Sequence, residues 1–253
     1  MRTARATERA SPNCGPRRDG ARPDMVVLHY TAMESAQAAA DRLCDPSAEV
    51  SAHYLIARDG EVLALVPEES RAWHAGISAW GDVPDVNSRS IGIELDNPGH
   101  VLGYHPFPEP QMKTLETLLE TVLARWAIPP ERVLGHACIA PGRKIDPGEK
   151  LDWRRLARRG LSVWLDAAGF ASEGRADPAR FRAAARAFGY PVDDAEGWSE
   201  PLGAVWRSFA MRFRPAEADV VPNATGVSQL EALAARWPVL SAPVARHGYP
   251  AQA

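Results

Sequence analysis

Residues 91–95 read Ile-Gly-Ile-Glu-Leu. Side chains alternate across an extended chain, so Ile91, Ile93 and Leu95 point one way and Gly92 and Glu94 the other. Residues 71–90 before this run have turn chemistry, so it reads as a strand with one apolar face. A lone carboxylate at Glu94, among such apolar neighbours, needs a reason. Proton transfer is one.

The pattern repeats outward from this strand. Met25-Val26-Val27-Leu28-His29 has strand character. The runs AHYLIA (52–57) and VLALV (62–66) flank Asp59-Gly60 and predict a hairpin. Val133-Leu134 predicts a short strand that delivers His136. Between them, Ser35 can cap a helix that runs to about Leu43 and stops at Asp45-Pro46. A longer helix is predicted over 111–126, with Leu115, Leu118, Leu119, Val122 and Trp126 at helical spacing and Pro129-Pro130 as its stop. Residues 152–159 also look helical, whereas 71–90 and 97–109 read as loops. Strands interleaved with helices predict an α/β fold, a mixed central β-sheet flanked by helices.

The chain has 253 residues, enough for one catalytic domain and a small second one. We divide it into an irregular N-terminal lead-in (1–23), a catalytic domain (24–168), a small C-terminal three-helix domain (177–240) and a tail (241–253). The second domain rests on helical patterns at 178–188, 201–213 and 226–236. A net charge of -3 gives no global field that would attract nucleic acid or anionic lipid. Cys14, Cys44 and Cys138 are odd in number and lack metal-type spacing, so a disulfide framework is not expected. No apolar run is long enough to span a membrane. No apolar stretch follows Arg2, Arg5 and Arg9, and Arg17-Arg18 leads into Asp19-Gly20, so no signal peptide is read. The expected location is cytoplasmic, or periplasmic if the true start lies upstream.

Four polar residues fall where strands end and loops begin: His29, Glu94, His136 and Asp146. The sheet fixes such positions while the loop leaves them reachable. A catalytic zinc takes three protein ligands, often imidazoles and a carboxylate, and keeps a fourth position for water. His29, His136 and Asp146 would supply such a set, and the bound water would ionise near pH 7. Glu94 would then act as general base and acid, and Lys144 would stabilise the developing oxyanion. Each residue alone has a plainer structural reading, and spacing does not bring His29 and His136 together.

The words around these residues are VVLHYTAM (26–33), SAHYLIARDGEV (51–62), RAWHAGISAW (71–80), NSRSIGIELDNPGH (87–100), YHPFPEPQM (104–112) and GHACIAPGRKIDPG (135–148). In this order they resemble the zinc N-acetylmuramoyl-L-alanine amidases of the type 2 amidase family, whose relatives include phage amidase lysozymes and animal peptidoglycan recognition proteins. The resemblance implies one Zn2+ on His29, His136 and Asp146, Glu94 as catalytic acid/base, Lys144 at the oxyanion and a mixed sheet flanked by helices. It implies hydrolysis of the bond between N-acetylmuramic acid and L-alanine. The expected partners are peptidoglycan or its anhydro-muropeptide fragments, with no nucleic acid, no membrane span and a monomeric state. The alternative is a non-catalytic muropeptide binder on the same fold. Ala137-Cys138 after His136 departs from the usual polar pair, and Cys138 is expected to face away from the metal as a small apolar residue. The second domain resembles a helical peptidoglycan-binding module through AVWRSFAMRFRP (204–215), although Val221-Pro222-Asn223-Ala224-Thr225 replaces the usual turn.

Further candidates are His74, Trp73 and Asn97 as substrate contacts. Their plainer readings are a loop-locking hydrogen bond, core packing and a turn residue. Trp80 has the same choice as Trp73. His53 is expected as a satisfied core histidine. His100 and His105 are expected as exposed loop residues, and His247 as part of a disordered tail.

Overall fold

The computed structural model describes residues 6–170 and 174–239, so the tail 241–253 with His247 lies outside the described residues. In chain order the strands are β1 (Ala6–Glu8), β2 (Cys14–Pro16), β3 (Met25–Tyr30), β4 (Tyr54–Ile56), β5 (Val62–Ala64), β6 (Ser70–Ala72), β7 (Ser90–Leu95) and β8 (Val133–Gly135). The helices are α1 (Ala36–Cys44), α2 (Val86–Arg89), α3 (Gly99–Leu102), α4 (Glu109–Trp126), α5 (His136–Ile139), α6 (Trp153–Arg158), α7 (Pro178–Phe188), α8 (Glu200–Phe213) and α9 (Ala224–Arg236).

Six strands form one sheet in the order β1-β5-β4-β7-β3-β8, and β2 pairs with β6 in a separate ribbon. The central neighbours β4, β7, β3 and β8 run parallel, while β5 is antiparallel to β4, so the sheet is mixed as expected. The predicted helices form as read. Ser35 caps α1 by accepting from the Ala38 N–H, a contact worth about 1 kcal/mol. Pro110 stands in the first turn of α4, where its missing N–H costs nothing.

Alternation along the central strands sorts the two faces. Val26, Leu28, Ile91, Ile93 and Leu95 pack with Leu115, Leu118, Leu119 and Val122 of α4. Each such fully buried aliphatic side chain contributes about 1.5–3 kcal/mol. Met25, Val27 and Leu134 face the other way and share one apolar cluster with Phe181, Phe188, Trp206, Phe209 and Leu230 of the C-terminal helices. The polar N-caps Asp177, Ser199 and Asn223 start α7, α8 and α9.

Three expectations need correction. Residues 1–23 are not wholly irregular, because β1 joins the main sheet beside β5 and β2 pairs with β6. The loop 71–90 contains α2 and the end of β6, and the loop 97–109 contains α3. These pieces are three or four residues long and are set by tertiary contacts that leave no period in the sequence.

Candidate active site

The parallel strands β3, β7 and β8 end side by side. His29 on β3 pairs with Glu94 on β7, and Leu28 pairs with Gly135 on β8, directly before His136. Residues far apart in sequence thus meet at the carboxyl edge of the sheet, where open α/β sheets place their ligands. The loop after α5 brings back Asp146, whose carbonyl accepts from the Ala137 N–H at 2.8 Å.

Nδ1 of His29 lies 2.9 Å from Nδ1 of His136, and each lies 3.0 Å from Oδ2 of Asp146. Zinc–ligand bonds of about 2.0–2.1 Å at tetrahedral angles would space such atoms about 3.3 Å apart, so the donor set fits one small metal ion. The outer ring nitrogens are also engaged. Nε2 of His136 lies 3.1 Å from the Ala75 carbonyl, and Nε2 of His29 lies 3.0 Å from Nδ1 of His74. Metal-binding imidazoles need this support to hold their orientation. Burial first, then the neighbouring His136, depresses His29 to about 4, which keeps its imidazole neutral.

Glu94 faces the same point. Its Oε2 is buried without a hydrogen-bond partner. Burial, reinforced by the Asp146 charge and opposed by Lys144, pushes its carboxyl up to about 8. A carboxyl tuned near neutral pH suits a group that takes a proton and later returns it. His29, His74, Glu94, His136, Lys144 and Asp146 line one cavity of about 440 Å³. Val101, 92% exposed, and Ile145, 44% exposed, give the cavity an apolar rim.

The structure therefore brings six predicted residues together, His29, His74, Glu94, His136, Lys144 and Asp146. His74 is buried, and its outward Nε2 contacts Ser90 Oγ at 3.2 Å. Asn97 lies outside this cavity's lining. It is fully buried, and its amide donates to the His105 carbonyl at 2.8 Å and accepts from the Gly99 N–H at 3.0 Å, contacts that a turn residue makes. Trp73 is half-buried on the loop before His74 and lies outside this cavity's lining. Trp80 is core, packed against Phe188 and Tyr190. His53 is the expected satisfied core histidine, accepting at Nδ1 from the Gly92 N–H at 2.9 Å. His100 is exposed, and it stacks on Tyr104 and bonds Tyr30. Cys138 faces away from the metal donors, within 3.8 Å of the Tyr190 hydroxyl.

Two arginines escaped the sequence reading. Arg143 lines the cavity and donates to the carbonyls of Ala75 at 2.7 Å and Ile77 at 2.6 Å, pinning the loop that carries His74. Gly76 in that loop has φ +58, and a side chain there would press on the Arg143 guanidinium at 3.3 Å. Arg17 is buried and donates to the carbonyls of Glu68 at 2.7 Å, Ser88 at 2.8 Å and Ser90 at 3.1 Å. Only its neighbourhood to Lys144 in the loop 140–148 hinted at Arg143, and nothing hinted at Arg17.

A donor triangle at a sheet edge, next to an unpartnered carboxyl and a lysine, is the arrangement of a single-metal hydrolase. The match to known proteins agrees. Residues 19–149 match the family model Amidase_2, N-acetylmuramoyl-L-alanine amidase, and the chain belongs to this family. It is 37% identical over 230 residues to the N-acetylmuramoyl-L-alanine amidase AmiD of Escherichia coli strain K12, covering 82% of each chain. Its fold is similar to that of E. coli AmiD in complex with the substrate anhydro-N-acetylmuramic acid-L-Ala-D-gamma-Glu-L-Lys, with a TM-score of 0.76, 33% identity and coverage of 90% of this chain and 93% of that one. It is also similar to AmpDh3 of Pseudomonas aeruginosa in complex with an anhydromuramic pentapeptide, with a TM-score of 0.78, 32% identity and coverage of 87% and 94%. The family is zinc-dependent in general, and this chain has a His29-His136-Asp146 group that could hold a metal.

Proposed function

We propose that this chain hydrolyses the amide bond between N-acetylmuramic acid, or its 1,6-anhydro form, and the L-alanine of the stem peptide, with one zinc ion held by His29, His136 and Asp146. The carrying observation is the donor triangle of 2.9–3.0 Å edges beside the unpartnered carboxyl of Glu94. The muropeptide substrate and the anhydromuramic pentapeptide bound by the two complexed relatives support the substrate class.

Zinc, when bound, polarises the amide carbonyl and acidifies the attacking water. The rest falls to the protein. Glu94, with its raised affinity for a proton, takes one from the attacking water and delivers it to the departing alanine nitrogen. Lys144 lies in the wall of the same cavity, and its ammonium would stabilise the oxygen that gains charge. His74 lines the cavity behind His29, and the rim of Val101 and Ile145 offers apolar surface to the sugar and peptide.

The segments 24–168 and 177–240 act as a catalytic unit and a brace. Ser208 on α8 donates to the Ala137 carbonyl at 2.5 Å, next to His136, which supports bracing as the helical segment's role. Among the described residues no helix is long and apolar enough to cross a membrane. The free thiols of Cys14, Cys44 and Cys138 suit the cytoplasm, where the substrate would be soluble anhydro-muropeptides. A monomer suffices, since all named groups come from one chain.

The test is to incubate zinc-loaded protein with soluble anhydro-muropeptide and with intact sacculi and to identify products by mass spectrometry. Free stem peptide from the soluble fragment is the expected result. No release from either, with stoichiometric zinc bound, would overturn the hydrolase reading in favour of a muropeptide binder.

A further inference from the structure

The two ring nitrogens of His29 face opposite ways, Nδ1 toward His136 and Asp146 and Nε2 toward His74. We infer that His74 and Ser90 are positioning residues that fix which nitrogen of His29 carries the proton, and so present a bare Nδ1 lone pair to the metal. The inference rests on the zinc site proposed above and extends it to residues outside the donor set.

The argument is a count of protons along one line of hydrogen bonds. The line ends at the Val86 carbonyl, which can only accept, 2.6 Å from Ser90 Oγ. Ser90 must therefore donate its single proton there. Its oxygen is left to accept from His74 Nε2 at 3.2 Å, so that nitrogen carries a hydrogen. The hydrogen-bond partners of the His74 ring, His29 and Ser90, are uncharged, and a buried imidazole in that setting is neutral. With Nε2 protonated, Nδ1 of His74 is an acceptor, and it lies 3.0 Å from His29 Nε2. His29 Nε2 must then hold the proton, and Nδ1 is free. The opposite order would require a carbonyl to donate.

Two further features hold this line in place. The N–H groups of His74 and Ala75 donate to Asn87 Oδ1 at 3.0 and 2.9 Å, which fixes the backbone beneath the ring. On the other side, a Cβ placed on Gly92 would come within 2.5 Å of Cγ and Cδ2 of His74. Strand β7 omits a side chain where the imidazole lies. Gly92 shares its face of β7 with Glu94, so the strand that supplies the acid/base also makes room for the ring that orients a metal ligand.

The first measurement reads the tautomer directly in the unmutated, metal-free protein, by long-range proton–nitrogen correlation of labelled histidines. His29 protonated at Nε2 is expected, and His29 protonated at Nδ1 would overturn the inference. The second is zinc affinity by chelator competition for His74→Phe, Ser90→Ala, Ser90→Thr and Gly92→Ala, with the metal-free unfolding midpoint of each. Loss of an outer partner of a metal ligand weakens binding by about 10–100-fold. His74→Phe and Gly92→Ala should fall in that range, Ser90→Ala should weaken binding, and Ser90→Thr, which keeps the hydroxyl, should restore it. Zinc affinity unchanged in a folded His74→Phe protein would sink the idea, as would losses that only track the metal-free midpoint. If the unmutated chain takes up no zinc, the metal reading fails instead, and the tautomer measurement still decides the proton order.

Discussion

Arg212 of α8 donates to the main-chain carbonyl of Val133 across 3.0 Å, reaching from the C-terminal helices to the strand that leads into His136. Its guanidinium is almost fully buried, stacked over Trp153 at 4.6 Å and Phe213 at 4.8 Å. We expect Arg212→Ala to destabilise the protein by about 2–4 kcal/mol, from the stranded carbonyl and the cavity together. Urea unfolding checks this, and a change below about 0.5 kcal/mol would show that α8 is not a brace.

Glu94 and Asp146 should separate chemistry from metal binding. Glu94→Ala should retain stoichiometric zinc and lose turnover by about 100-fold to 10,000-fold, the range for a positioned proton carrier. Asp146→Ala removes one edge of the donor triangle and should lose zinc along with activity. Metal content and product release measured on the same samples decide the matter. Full activity in Glu94→Ala would refute its assigned role.

The raised carboxyl of Glu94 has a signature in stability as well. Its fold favours the protonated form, so its contribution is fully present below the ordinary value of 4.5 and is lost as pH rises through about 8. The metal-free protein should therefore lose unfolding temperature relative to Glu94→Gln as pH is raised from about 5 to about 9. Parallel curves for the two proteins would mean that the carboxyl is not desolvated.

Arg17 ties the N-terminal segment to the loop that carries His74 and Ser90, through the carbonyls of Glu68, Ser88 and Ser90. Burial holds its guanidinium down to about 10, and among the described residues no carboxylate bonds it directly. Arg17→Ala would leave several buried carbonyls unpaired, at about 1–3 kcal/mol each. We expect early proteolytic cleavage within 68–90, detected by limited proteolysis and mass spectrometry. An unchanged cleavage pattern would argue against the strut.

The central strands were legible because period-2 alternation and a one-sided apolar face are local properties. Ile91, Ile93 and Leu95 announce β7, and Ser35, through its hydroxyl, and Pro129, through its missing N–H, mark helix limits locally. His29, Glu94, His136 and Asp146 were legible as candidates only. Their convergence depends on register, with Leu28 beside Gly135, and register is decided by pairing between distant segments. The edge strand β1 was invisible because all its residues are exposed and its partner β5 lies more than 50 positions on. Asn97 was open to two readings because an amide at a turn and an amide at a substrate look alike in sequence.

The parallel arrangement of β3, β7 and β8 also governs the order of events in folding. Pairing His29 with Glu94, and Leu28 with Gly135, closes long loops before any contact rewards them. A metal ion meeting the unfolded chain finds its donors scattered and cannot act as a template. A metal ion held by His29, His136 and Asp146 would then bind the finished sheet and stabilise the native ensemble by mass action. Cells short of zinc should accumulate a folded but idle protein, ready to be loaded, in place of a pool of misfolded chains.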